Sequence, residues 1–294
     1  MRKLILLLAF TIASAAAAQT IGLSISTLNN PFFVTLRDGA QAAADAAGAE
    51  LIVVDAQDNV SKQISDLEDL LQRGIDVLVI NPTDSDAVVP AVMIANSSGI
   101  PVIAVDRNVA GGELAAYVVS DNVAGGHLAA GYICEQLGGS GLVVELQGIP
   151  GASATNERGE GFNSGIAELC PDVTVVARQT ANFSRAEGLS VMENILQAQG
   201  EIDAVFAHND EMALGALQAI TAIGQDVLIV GFDATDDAVA AVEACTMGAT
   251  VAQLPADLGA MAVEHALEII AEGAPESQIN VAVDLSLVTS EACQ

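Results

Sequence analysis

No tryptophan occurs in the 294 residues, and two tyrosines and seven phenylalanines make aromatics 3% of a chain that is 52% hydrophobic. Its cores must therefore be built from Val, Ile, Leu and Ala, and any ring outside an apolar segment becomes informative. Positive charge is equally scarce: nine Lys and Arg face 38 Asp and Glu, a formal net charge of −29. So acidic a surface repels nucleic acid and anionic lipid and argues against both as partners. The acids are dispersed rather than run together, which fits general solvation, as in a saline setting where screening shortens their repulsion. Metal-ligand spacing is missing too, since the chain has only His127, His208 and His265 and four cysteines without a CxxC pair. Nor is there a GxGxxG after the first strand, a GxxxxGK[ST] loop or a GxSxG elbow, the signatures of dinucleotide, nucleotide and hydrolase chemistry. A cofactor-free, non-enzymatic protein is expected.

Long apolar runs are absent after the amino terminus. There, Arg2 and Lys3 precede an apolar run at 4–12 and small residues at 13–18. That order reads as a secretion leader cut after Ala18, shorter than the roughly 20 apolar residues a spanning helix needs. Two basic residues leave with it, so the expected mature charge is 7 minus 38, or −31. In an oxidising compartment the cysteines permit three pairings. The pairing chosen is Cys134 with Cys170, at the ends of successive predicted helices, and Cys245 with Cys293; free buried thiols are the alternative.

Elsewhere, β-branched apolar runs alternate with Ala-rich helical patterns. Residues 21–26, 51–55, 77–80 and 102–106 read as buried strands, with helices near 31–47, 61–73 and 84–97. Asn29 and Asn30 are candidate caps of the first helix, Pro31 suits its first turn and Gly48 its end. The rhythm restarts at 117–121 and runs through strands at 142–147, 173–179, 204–208, 227–232 and 249–253, a helix at 256–272 and a last strand near 281–288. Such alternation predicts parallel sheets covered on both faces, and two open sheets fit it better than one.

Open α/β sheets bind small ligands beyond the carboxyl ends of their strands. The segment STLNNPFF, residues 26–33, ends the first strand and opens the first helix with polar side chains and two adjacent rings. Other predicted strand ends carry Asp106 with Arg107, Asn209, Asp233 and Gln253, while Arg158 starts a helix and Phe183 lies in the polar loop TANFSR. A sugar hydroxyl both donates and accepts, so a sugar site interleaves carboxylates and guanidiniums with amides. Aromatic faces suit the C–H surfaces of its ring. Taken singly, Asn209 and Asp233 read as helix caps, the arginines as partners of surface acids, and Phe206 and Phe232 as core. Taken together, the set reads as a sugar site.

The ordered segments STLNNPFF, DLLQRGIDVLVINPTDSDAV, IPVIAVDR, SDNVAGG, ELQGIPGASATNERGEGF, FAHNDEMALGAL, VGFD and TVAQLP closely resemble the D-ribose-binding family of bacterial ABC transporters, within the type I periplasmic sugar-binding proteins. The likeness runs from about residue 21 to 288. It implies an α/β fold of two doubly wound, Rossmann-like lobes with parallel sheets, joined by a three-segment hinge. The implied lobes are 19–120 plus 254–282 and 121–253 plus 283–294, with crossings near Ser120 and Asp121, Gln253 and Leu254, and Ala282 and Val283. By the same resemblance Asn30, Asp106, Arg107, Arg158, Asn209, Asp233 and Gln253 hydrogen-bond the sugar, Phe32, Phe33 and Phe183 enclose its ring, and Ser26 and Ser120 lie nearer the edge. The implied ligand is D-ribose as the pyranose, with allose or another pentose as the alternative. The implied partner of this monomeric periplasmic receptor is an ABC permease, with a chemotaxis receptor left open. Two departures from the family stand out: Lys62 is the only lysine after the leader, and the four cysteines are additions. Repressor sensor domains share such a fold but begin with a basic DNA-binding headpiece, which the leader and the acidic charge exclude.

Overall fold

The computed structural model describes residues 19–293, so the expected leader lies outside the described residues. The first half follows the predicted rhythm: β1 (Thr20–Ile25), α1 (Pro31–Ala47), β2 (Glu50–Asp55), α2 (Val60–Gln72), β3 (Val77–Ile80), α3 (Val89–Ser97), β4 (Val102–Val105) and β5 (Ala116–Ser120). Asn30, not Asn29, caps α1, its Oδ1 accepting from Phe32 N–H at 2.9 Å, and Gly48 ends the helix at φ 71°. α3 begins at Val89 rather than near 84, because Asp84 Oδ1 accepts from the N–H groups of Asp86 and Ala87 and holds a turn ahead of it.

The second half comprises α4 (Asn122–Gln136), β6 (Ser140–Gln147), α5 (Ser153–Leu169), β7 (Asp172–Thr180), α6 (Arg185–Gln199), β8 (Ala204–Ala207), α7 (Asp210–Ile223), β9 (Leu228–Asp233), α8 (Asp236–Glu243) and β10 (Ala249–Ala252). α9 (Pro255–Glu272) then returns to the first sheet, β11 (Ile279–Val283) joins that sheet, and β12 (Ser286–Thr289) joins the second. The strand read as one near 281–288 is therefore two. Val283 still pairs with Ser120 in the first sheet, whereas Ser286 pairs with Ala252 in the second, so the chain changes sheets at Asp284 and Leu285. Apolar alternation continues across the switch, which hides it from a pattern reading.

The strand orders are β11-β5-β4-β3-β1-β2 and β12-β10-β9-β8-β6-β7, and among the described pairings only β12 with β10 is antiparallel. Period-two side chains serve both faces of each sheet. In the first, Ile21, Leu23 and Val79 pack toward α1 and α9, while Leu78 and Ile80 pack toward α2 and α3. Each such side chain contributes about 1.5–3 kcal/mol.

Three helix pairs approach through reciprocal glycines. A Cβ on Gly39 of α1 would lie 2.1 Å from Ala256 O of α9, and one on Gly259 would lie 2.0 Å from Leu36 O. Gly126 and Gly161 join α4 to α5 in the same way, at 2.2 Å from Arg158 O and 1.9 Å from Val123 O. Gly188 and Gly215 do so for α6 and α7, at 2.6 Å from Met212 O and 2.2 Å from Arg185 O. No side chain fits between these backbones, so glycine sets the spacing. The lobes also touch directly, Ser85 N–H donating to Gly151 O and Asn108 N–H to Ser153 Oγ, both at 2.9 Å.

Both expected disulfides are present, Cys134–Cys170 linking the ends of α4 and α5, and Cys245–Cys293 tying the turn after α8 to a short 3-10 helix at Glu291–Cys293. Neither crosses between the sheets. They close loops with sequence separations of 36 and 48, for which loop entropy gives about 4 kcal/mol each. Reduction with dithiothreitol, or the double change Cys245→Ser with Cys293→Ser, should lower unfolding stability by an amount of that order. Denaturant unfolding followed by circular dichroism checks this, and an unmoved midpoint would mean that the bridges do not constrain the unfolded chain.

Candidate functional site

Polar residues from both lobes converge where the carboxyl ends of the strands face each other. Asn30, Phe32 and Phe33 come from the start of α1, Asp106 and Arg107 from the end of β4, Phe183 from the loop between β7 and α6, Asn209 from the cap of α7 and Asp233 from the end of β9. Arg158 sits in the second turn of α5 rather than at its start. With Ala154, these nine residues line one cavity between the lobes.

Three expected positions stand outside this wall. Gln253 lies behind it, Nε2 donating to Asp233 Oδ1 at 2.8 Å. Ser26 N–H donates to Asn81 Oδ1 at 3.2 Å, and Ser120 ends β5. The hydroxyls of both serines are buried without a hydrogen-bond partner among the described residues.

Two acid–base pairs dominate the electrostatics. Asp106 Oδ2 is 3.7 Å from Arg107 Nε, Asp233 Oδ1 is 3.6 Å from Arg158 Nη1, and all four side chains are at most 4% exposed. A hydrogen-bonded ion pair closes to about 2.7–2.9 Å, so these keep acceptor and donor capacity for a ligand. Each is backed from behind: Asn81 Nδ2 donates to Asp106 Oδ2 at 3.0 Å and Arg107 Nη1 to Pro82 O at 3.2 Å. Arg158 Nε donates to Asn122 Oδ1 at 2.8 Å and its Nη1 to His208 O at 2.6 Å. Burial pushes the Asp106 and Asp233 carboxyls up and the Arg107 guanidinium down, with the neighbouring opposite charges working against it.

Asn209 is both cap and wall, its Oδ1 accepting from Met212 N–H at 3.0 Å while Nδ2 donates to Phe183 O at 3.3 Å. Asp233 caps nothing, because Thr235 takes the cap position of α8. The Arg107 guanidinium lies 5.1 Å from the ring centres of both Phe33 and Phe183, bridging the lobes. Phe232 is core, as read, and also a platform: Arg158 lies 3.8 Å from its ring centre. Strain concentrates here. Asp106 at φ 63°, Phe183 at 57° and Asp233 at 123° occupy the left-handed side of the map, at a cost of about 1–3 kcal/mol each.

Sequence reasoning missed Ala154, Asn81, Asn122 and the His208 carbonyl. Asn81 directly follows a buried strand, so the strand-end rule could have found it. Ala154 offers a pattern reading no chemistry. Among the described residues, no group of three or more His, Cys, Asp or Glu could hold a metal ion, and no helix is long and apolar enough to cross a membrane.

Two α/β lobes closing over a small, polar cavity walled by rings make a solute receptor. The chain belongs to the periplasmic binding proteins: residues 21–274 match the family model described as a periplasmic binding protein domain. It is 53% identical over 251 residues to the ribose import binding protein RbsB of Bacillus subtilis (strain 168), covering 85% of this chain and 81% of that one. The RbsB of Escherichia coli (strain K12) is 48% identical over 280 residues, covering 95% and 93%. Among solved structures, the Caulobacter myo-inositol binding protein bound to myo-inositol superposes with a TM-score of 0.89 at 36% identity, covering 96% of this chain and 97% of that one. An ABC transporter periplasmic solute binding protein from Actinobacillus succinogenes 130z with bound D-allose gives 0.85 at 34%, covering 93% and 98%.

Behind the wall, Glu145 is fully buried and accepts from Arg178 Nε at 2.6 Å, His208 Nε2 and Asn163 Nδ2 at 3.0 Å, and Gln147 Nε2 at 3.1 Å. Burial alone would raise its pKa, but these donors outweigh it and hold the carboxyl at about 2, against an ordinary 4.5. A depressed carboxyl stabilises the fold above its unfolded pKa and loses that contribution as pH falls through the folded value. Glu145 should thus contribute about 3 kcal/mol above pH 4.5, lost on acidification toward pH 2. The stability difference between wild type and Glu145→Gln, measured by urea unfolding from pH 6 to 2, should shrink accordingly; a constant difference would contradict it.

Proposed function

We propose that this protein is the substrate-binding component of an ABC importer and that it binds D-ribose, as the pyranose, between its lobes. What carries the reading is the convergence of two carboxylates, two guanidiniums, two amides and three phenylalanine rings on one cavity between the lobes. In it Asp106 and Asp233 accept from sugar hydroxyls, Arg107, Arg158 and the amides of Asn30 and Asn209 donate, and Phe32, Phe33 and Phe183 cover the C–H faces. Gln253 orients Asp233, and Ser26 and Ser120 stand at the edge of the site. The names of the relatives support ribose as cargo.

A ligand held by both lobes has a differential affinity for the closed state and so drives closure. The moving bodies in this proposal are 19–120 plus 254–282 and 121–253 plus 283–294, turning about the three crossings. Cleavage after Ala18 delivers the protein to the periplasm as a monomer, where the closed form is what the permease engages, and what a chemotaxis receptor would engage. The bound D-allose and myo-inositol of its structural neighbours favour one second reading, the same role for another monosaccharide or a cyclitol.

Thermal unfolding against ribose, allose, arabinose, xylose, galactose, glucose, 2-deoxyribose and myo-inositol decides between them. Cargo at about 100 times its Kd adds roughly 2.7 kcal/mol. The largest response is expected from ribose; a larger response to another sugar changes the cargo, and silence throughout removes the sugar site. 2-Deoxyribose should bind more weakly by about 1–3 kcal/mol, since one buried group loses its partner. By calorimetry, Arg158→Ala should weaken ribose binding about 100-fold, having lost charge-assisted hydrogen bonds, and Phe183→Ala about tenfold through lost ring contact. Unchanged affinity in either would remove that residue from the site.

A further inference from the structure

Arg158 is held from behind by a buried chain of polar groups that ends on another surface of its lobe. Its Nη1 donates to the His208 carbonyl at 2.6 Å. His208 follows β8, and although its N–H still donates to Leu146 O at 2.9 Å, the strand pairing stops at Ala207. Beyond that point the ladder no longer fixes where the carbonyl points, and the cap of α7 at Asn209 and the His208 side chain hold it instead. The ring supplies the anchor: Nε2 meets Glu145 Oε1 at 3.0 Å, with both side chains fully buried.

The other Glu145 oxygen takes Arg178 Nε at 2.6 Å and Asn163 Nδ2 at 3.0 Å, and Arg178 also donates to Asn163 Oδ1. Arg178 is 45% exposed at the edge of the second sheet. Asn163 and Arg158 both belong to α5, and Gly159 between them lets the helix settle on the pair. A Cβ at Gly159 would lie 3.2 Å from Glu145 Oε1 and 3.3 Å from His208 Cε1. The network therefore grips α5 at Asn163 and reaches Arg158 again through His208.

We infer that Arg178, Glu145 and His208 are positioning residues for Arg158, fixing the guanidinium that receives the sugar while none of them lines the cavity. The inference rests on the sugar-binding reading. Without Arg178, a buried carboxylate loses its cation and must take up a proton or draw the His208 ring into a charged pair. Either response moves the ring, and the carbonyl under Arg158 moves with it.

Calorimetry on the full mature chain tests this, using the sugar with the largest thermal shift and the variants Arg178→Ala, Arg178→Lys and Glu145→Gln. Arg178→Ala removes a half-exposed side chain and no apolar core group, and Glu145→Gln keeps shape and gives a second reading. Both should bind about tenfold more weakly with unchanged circular dichroism, and Arg178→Lys should recover most of the loss. A purely structural network would lower Tm and leave Kd alone, since Kd is read on folded protein. Unchanged Kd in Arg178→Ala and Glu145→Gln, beside tight wild-type binding, overturns this inference only. A wild type that binds no sugar overturns the sugar reading, and this inference falls with it.

Discussion

Four charges buried in one cleft, paired at 3.6 and 3.7 Å but not in hydrogen-bonded contact, are the constraint that the surrounding structure serves. Buried ions left short of partners destabilise a fold unless other groups complete their shells. Asn81, Asn122, Gln253 and the carbonyls of Pro82 and His208 do so on the protein side. Their other side faces the cavity between the lobes. The left-handed backbone at Asp106 and Asp233 falls on the same two carboxylates.

Much of this was legible in the residues, because the two signals involved are local. Buried strands announce themselves as runs such as VLVI and VIAV, and a run of that kind followed by Asp-Arg or Asn-Asp marks a strand end facing a cleft. STLNNPFF joined cap, proline and rings in eight residues, and the structure uses Asn30 as both cap and cavity wall. What stayed hidden depends on distant neighbours. The change of sheet at Asp284 and Leu285 lies inside continuous alternation. Phe183 at φ 57° cannot be read from a residue type that avoids that region. Gly126 and Gly161 look like weak helix residues until the facing backbone is known. Ala154 matters for what it leaves empty.

Close helix contacts and disulfides are unevenly distributed. Reciprocal glycines bring α4 and α5, and α6 and α7, into backbone contact in the second lobe, and both disulfides lie there as well. The first lobe has one such pair, α1 with α9. The lobe that carries Arg158, Asn209 and Asp233 thus holds more of these close contacts and both covalent links. Preorganised donors and acceptors lose little freedom when a ligand arrives.

The return of the chain to its first sheet has a further consequence. That sheet acquires its edge strand only at residues 279–283, and the helix α9 that covers α1 only at 255–272. A ribosome delivers the chain from the amino end, so the lobe begun first cannot be finished until nearly the whole polypeptide has emerged. A nascent chain of this topology lacks the edge strand and covering helix of its first sheet for most of its synthesis.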